Sequence, residues 1–245
     1  MNLRYILLGL EYHVYFTENN ELRYEFQQRT DFINNYFSKA IRRYKFETDG
    51  TFNMISIAPN ENEIKPCSIV PLDVLEVGLP FDKKRYERIK GTDDYSYYLE
   101  LLEQGFITAS NFKSIPLETL LNLIEKFKQG GCKNEWLHKK KRFKAQDLEV
   151  ILTCEFTTNY FQVVAAINQI SSKRELAKGV VIKTVPDEVI FEGMYKDIII
   201  DEDILITDRS DSPRVIINKE CLFKGDLRFE IIGDEEIKKM LSNNL

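Results

Sequence analysis

The aromatic residues of this chain are gathered at one end, and that asymmetry constrains the fold more than any motif does. Tyr5, Tyr12, Tyr15, Phe16, Tyr24, Phe26, Phe32, Tyr36, Phe37, Tyr44, Phe46 and Phe52 crowd its beginning, whereas Ile and Val dominate the last third. A ring-rich core and a core of β-branched side chains suit different elements, because β-branched residues fit the pleated surface of a sheet. The shift predicts two differently built cores. With 245 residues the chain is long enough for one large domain or two small ones.

Periodicity fills in the elements. Residues 3–16 read as one bent strand or a hairpin, with Tyr12, Val14 and Phe16 alternating against His13 and Tyr15. From Thr30 the apolar positions Phe32, Ile33, Tyr36, Phe37, Ala40, Ile41 and Tyr44 recur at helical spacing, with Thr30 or Asp31 as cap. Thr48-Asp49-Gly50 marks a turn into a strand through Met54 and Ile57, and a further extended stretch runs from Cys67 to Val77, interrupted by Pro71. Residues 82–127 carry two helical stripes, one through Tyr95, Leu99, Leu102 and Phe106, the other through Leu117, Leu120, Ile124 and Phe127, closed by Gly130-Gly131. Residues 160–176 read as a helix, and the tail as short Ile/Val strands including Val189–Phe191, with a terminal helix from Asp234.

The resulting fold class is α+β: an N-terminal aromatic-rich α/β sandwich at 1–80, a helical segment at 81–131 packing on it, and a β-rich module at 132–245. Both halves follow strand–helix–strand–strand, so a ferredoxin-like order is one expectation. Val189-Ile190-Phe191-Glu192-Gly193 is echoed by Cys221-Leu222-Phe223-Lys224-Gly225, which suggests a duplicated hairpin.

Few residues here suit catalysis. The two histidines, His13 and His138, have no metal-ligand neighbour at a useful spacing, and the four cysteines, Cys67, Cys132, Cys154 and Cys221, form no CxxC pair. No glycine loop, nucleophile elbow or HExxH motif is present. Catalytic residues, metal and cofactor are therefore assigned as none. His13 is the one candidate base on an alternating segment, and Cys132 and His138 the one candidate thiolate–imidazole pair. Asp49 followed by Glu63-Ile64-Lys65 has the residue order of two-carboxylate Mg²⁺ nucleases, in a segment that reads as an exposed loop.

Two charged blocks are the remaining candidate sites. Lys139-Lys140-Lys141-Arg142 with Lys144, flanked by Trp136 and Phe143, suits phosphate contact and base stacking, or else a solvated edge strand whose lysines block pairing. Glu192, Asp197, Asp201, Glu202, Asp203, Asp208 and Asp211 form an acidic stretch suited to docking a basic protein. It lacks the Asp/Asn/Gly ladder of a calcium loop. The net charge of −5 favours a protein partner over nucleic acid.

The apolar run from Leu3 to Leu10 is cut short by Glu11 and His13, which predicts a buried strand rather than a leader or a membrane span. The expectation from sequence is a cytoplasmic bacterial protein that binds another protein by occlusion, a basic partner suiting its acidic stretch, as an immunity protein against a toxin or an accessory subunit of a defence complex. The alternatives are a nucleic-acid binder using 139–144 and a metal-dependent hydrolase using Asp49, Glu63 and Lys65.

Overall fold

Short runs of Ile, Leu and Val set the first sheet. In the computed structural model, which describes residues 1–62 and 64–242, β1 (Tyr5–Leu8) pairs in parallel with β2 (Met54–Asn60). Strand β2 in turn pairs in parallel with β4 (Val74–Pro80), and β3 (Ser68–Val70) closes the edge antiparallel to β4. The register aligns Ile6 with Ile55 and Ile55 with Leu75, so the buried residues of all three parallel strands share one face. That face lies under helices.

The helices are α1 (Tyr12–Glu18), α2 (Asn20–Tyr44), α3 (Lys83–Ile89), α4 (Ser96–Phe112) and α5 (Leu117–Gln129). Helix α4 packs on β2 and β4, α2 lies along β1, and α5 backs α4. Gly105 lets α4 come this close, since a Cβ there would sit 2.5 Å from the Ile57 side chain. Rings fill the layer between them: Phe26 contacts Tyr86 and Tyr98, and Phe37 contacts Phe106 and Phe127. These rings are the aromatic core that the composition predicts.

The outer edge of β1 is sealed by side chains instead of a strand. Thr30, Asn34 and Ser38 recur every four residues on α2 and so lie on one face of that helix. Asn34 Oδ1 accepts from the Leu8 amide at 2.8 Å while its Nδ2 donates to the Leu8 carbonyl, and Thr30 Oγ1 donates to that same carbonyl at 2.9 Å. Ser38 Oγ accepts from the Ile6 amide and donates to the Ile6 carbonyl. All three side chains are buried, and the backbone groups they serve would otherwise be stranded away from water.

Residues 1–134 form one compact unit and 135–245 a second, so the helical segment 81–131 belongs with the first sheet. The second unit begins in β5 (Asn134–Phe143) and continues through β6 (Leu148–Phe156), β7 (Phe161–Gln169) and β8 (Glu175–Thr184), paired in that order. A smaller antiparallel sheet follows with β9 (Asp197–Ile200), β10 (Ile204–Thr207), β11 (Pro213–Ile217) and β12 (Phe229–Ile231). Its buried side chains, Ile198, Ile204, Ile206, Val215 and Ile217, alternate as a half-buried sheet requires. Short helices α6 (Glu188–Phe191), α7 (Lys219–Leu222) and α8 (Glu235–Leu241) complete the unit. Phe191 of α6 stacks on Phe161 with ring centroids 3.6 Å apart, which fastens the α6 segment to the larger sheet.

The class is α+β, as expected, but several elements differ from the sequence reading. The first sheet has order β1-β2-β4-β3 with β1, β2 and β4 mutually parallel, and the second unit interposes no α-helix among its long strands, so neither has the ferredoxin-like order. Residues 12–18 are helical because Glu11 caps them, its carboxylate accepting from the Val14 amide at 2.6 Å. Helix α2 starts at Asn20 with Asn19 as its cap, and Thr30 serves the sheet edge instead. Residues 161–169 are strand: Ala165, Ala166 and Ile167 are all buried, so both faces of β7 carry apolar residues and mimic a helical stripe. The echoed segments are both helical turns, capped by Asp187 and Asn218, each followed by a glycine with positive φ, Gly193 and Gly225.

Candidate functional site

The two charged blocks meet within the second unit. Side chains alternate across β5, so Lys139 and Lys141 reach Asp197 at 3.4 and 2.7 Å while Lys140 and Arg142 reach Glu149 at 3.1 and 2.6 Å. Lys141 also donates to the Ile198 carbonyl, and the His138 ring nitrogen lies 3.2 Å from the Lys196 carbonyl. The basic strand thus serves the backbone around β9 much as α2 serves β1. Lys144 stands apart, exposed in the turn after β5.

Most of the rest of the acidic stretch is engaged too. Glu192 pairs with Arg209, Asp211 with Lys196, and Asp208 with Arg214. Asp208 is buried and accepts from the amides of Ser210 and Ser212. Asp203 accepts from the Lys219 amide, and Lys219 Nζ donates to the Asp201 carbonyl. Glu202 is exposed beside them. Among the described residues no group of three or more His, Cys, Asp or Glu is placed to hold a metal ion.

Burial pushes the Asp197 carboxyl up, but the Lys141 hydrogen bond, the Ile198 amide and the two lysine charges outweigh it and leave its pKa at about 2. A carboxyl depressed on folding stabilises the protein above its unfolded pKa and loses that contribution as pH falls through the folded value. Between pH 4 and pH 2 the wild type is expected to lose roughly 1 kcal/mol that an Asp197→Asn variant does not lose, a figure discounted for partial exposure. Urea midpoints across that range check it, and parallel curves for the two proteins would refute it.

The nuclease-like residues are not gathered. Asp49 precedes β2 and pairs with Lys113 at 2.6 Å; Lys65 follows β2 and pairs with Glu11 at 2.5 Å. Glu63 lies outside the described residues. His13 sits on the exposed side of α1, edge-on to Tyr12. Cys132 follows α5, its amide donating to the Phe127 carbonyl, and burial pushes its thiol up.

Sequence reading passed over the carboxyl ends of β1, β2 and β4, where parallel sheets commonly place their sites. Glu11 leaves β1 with its side chain 2% exposed, caps α1 and meets Lys65, a partner 54 residues away. Burial pushes the Glu11 carboxyl up, and the Lys65 hydrogen bond and charge together with the Val14 amide hold it below its ordinary value. Beside it Tyr15 exchanges hydrogen bonds with Glu61 at the end of β2, and burial lifts its phenol to about 12.

Helix α1 turns its other side to solvent. Tyr12 and Phe16, each 52% exposed, stack one turn apart with ring centroids 5.3 Å apart, and the Arg23 guanidinium lies 5.1 Å from the Tyr12 ring. Tyr24 is 48% exposed, and Glu18 and Glu21 are exposed around the turn between α1 and α2. Tyr15, on the buried side of α1, contacts Phe81 just past β4. There Asp82 caps α3, Tyr97 accepts from the Asp82 amide at 2.7 Å, and Arg85 pairs with Glu100.

No helix among the described residues is long and apolar enough to cross a membrane. The chain matches no protein-family model, no curated protein and no solved structure.

Proposed function

We propose that this chain is a protein-binding protein that acts by occlusion, and that it docks a basic partner through α1. The observation that carries the reading is the exposed Tyr12–Phe16 stack with Arg23 over it. Tyr and Arg dominate interface energetics when they cluster, and a hydrophobic ring held in water gains most from being covered. Exposed Glu18 and Glu21 give the patch an acidic border, and ring faces attract guanidinium and ammonium groups, so a basic segment fits it. The acidic stretch of the second unit is a weaker docking surface than its composition suggests, since Glu192, Asp197, Asp208 and Asp211 each have a basic neighbour.

The setting we infer is the bacterial cytoplasm, as an immunity protein against a toxin or an accessory subunit of a defence complex. The supporting features are the acidic balance and four cysteines that are all free thiols.

The test is capture at low salt by the wild type and by a Tyr12→Ser/Phe16→Ser double variant. A basic protein retained stoichiometrically by the wild type should bind the variant at least about 500-fold more weakly, as expected for two central aromatic anchors at about 2 kcal/mol or more each. Thermal unfolding should barely change, because both rings already face water. Equal retention by the two proteins, or retention of nucleic acid that is lost on neutralising Lys139–Arg142, would overturn the reading.

A further inference from the structure

A cleft of about 260 Å³ opens between α3 and α4 at the carboxyl end of β4. Pro80, Phe81 and Leu101 give it an apolar lining, and Tyr97, Arg85 and Glu100 line it as well. Its volume is below the roughly 300–1,000 Å³ of pockets for drug-sized ligands, so it suits a small molecule or a single side chain.

Arg85 is already posed to hold a planar carboxylate. Its Nη1 and Nη2 donate to the two Glu100 oxygens at 2.5 and 2.6 Å, the paired geometry in which a guanidinium recognises a carboxylate. The two members of this pair are held differently. The Arg85 guanidinium lies 4.8 Å from the Tyr97 ring, and the Tyr97 hydroxyl is fixed on the Asp82 amide. The Arg85 backbone amide is fixed on the Asp82 carboxylate at 2.9 Å. Glu100 instead projects from α4 with its side chain 46% exposed, and an exposed ion pair contributes little to stability. Turning Glu100 into water leaves Arg85 in place with its fork open.

We propose that this cleft binds a small carboxylic acid with an apolar body, whose carboxylate replaces that of Glu100 on Arg85 while the body lies against Phe81, Pro80 and Leu101. Glu100 acts as a built-in competitor for the site. The site is separate from the α1 patch, and its test does not depend on any partner protein.

The experiment titrates phenylacetate into the wild type and into Glu100→Gln, Arg85→Gln and Arg85→Lys variants, followed by ligand-observed and protein-observed NMR. The wild type should bind saturably in the millimolar range, and Glu100→Gln about fivefold more tightly, because a carboxylate competitor has been removed. Arg85→Gln should lose binding, and Arg85→Lys should weaken it even if Arg85→Gln does not fold, since the charge remains but the fork is gone. Phenylacetamide should not bind. N-acetyl-glycyl-phenylalanine distinguishes the source: binding equal to that of phenylacetate assigns the site to a peptide C-terminus, and its exclusion assigns it to a free acid. No saturable binding to Glu100→Gln, or undiminished binding to Arg85→Lys, would overturn the proposal.

Discussion

Replacing Asn34 with Leu should cost about 3 kcal/mol, although Leu is nearly isosteric with Asn and more apolar. The reason lies in β1. The Leu8 amide points away from β2 and finds its acceptor in Asn34 Oδ1 at 2.8 Å, in a place where no water reaches. With Leu at 34 that amide keeps its desolvation and loses its partner, a penalty of about 1–3 kcal/mol, while the Leu8 carbonyl loses one of its donors and retains Thr30. Ser38→Ala, at the same edge, should cost a similar amount, because it leaves both the Ile6 amide and the Ile6 carbonyl without the Ser38 hydroxyl. Urea unfolding followed by tyrosine near-UV circular dichroism reads mainly the first unit, which holds all the tyrosines but Tyr160 and Tyr195. Exchange of the Leu8 amide should accelerate by a corresponding factor. A change below about 1 kcal/mol would show that β1 does not depend on this stripe.

Gly78→Ala should be at least as damaging. A Cβ at position 78 would fall on the Lys65 carbonyl oxygen and 2.9 Å from the Lys65 nitrogen, so the obstacle is backbone and not a flexible side-chain end. The strand can accommodate the methyl only if the segment around Lys65 lifts away. That movement draws the Lys65 ammonium from Glu11, whose side chain is 2% exposed. Lys65 is itself 43% exposed and Glu11 keeps the Val14 amide, so the lost pair costs about 1–3 kcal/mol on top of the backbone clash, more than the roughly 0.4–1 kcal/mol that Gly→Ala gains by restricting the unfolded chain. The acid response identifies the cause. In the wild type Glu11 is held below its ordinary pKa, so the pair stabilises at neutral pH and that contribution is lost in acid. In the variant only the Val14 and His13 amides are left to oppose the burial of Glu11, so the variant should lose less stability in acid than the wild type does, and a second substitution, Glu11→Gln, should recover part of the loss. A loss under about 1 kcal/mol, or no recovery from Glu11→Gln, would contradict this chain of effects.

How far the sequence reveals this molecule depends on the range of the interactions that decide each part. Helices α4 and α5 are plain in it because Leu99, Leu102 and Phe106, then Leu120, Ile124 and Phe127, are buried at the spacing that marks them. The strands β9, β10 and β11 are equally plain from their alternating Ile and Val. Helix α1 is hidden because its outer face carries Tyr12 and Phe16, apolar residues that a periodicity argument assigns to a core. The Thr30, Asn34, Ser38 stripe is visible as a spacing, but its meaning depends on a strand more than twenty residues earlier. The charged blocks are legible as composition and misleading as surfaces, since Lys141 meets Asp197 across 56 residues. The Glu11–Lys65 pair and the α3–α4 cleft exist only through tertiary contacts, and no local pattern announces them.

The central functional claim is that α1, and neither charged block, is where a partner sits. Amide hydrogen exchange of the captured complex against the free protein tests it most directly. The account predicts that protection on binding concentrates between Glu11 and Tyr24 and leaves 139–144 and 192–211 unchanged. Protection confined to either of those stretches, with α1 exchanging as in the free protein, would contradict it.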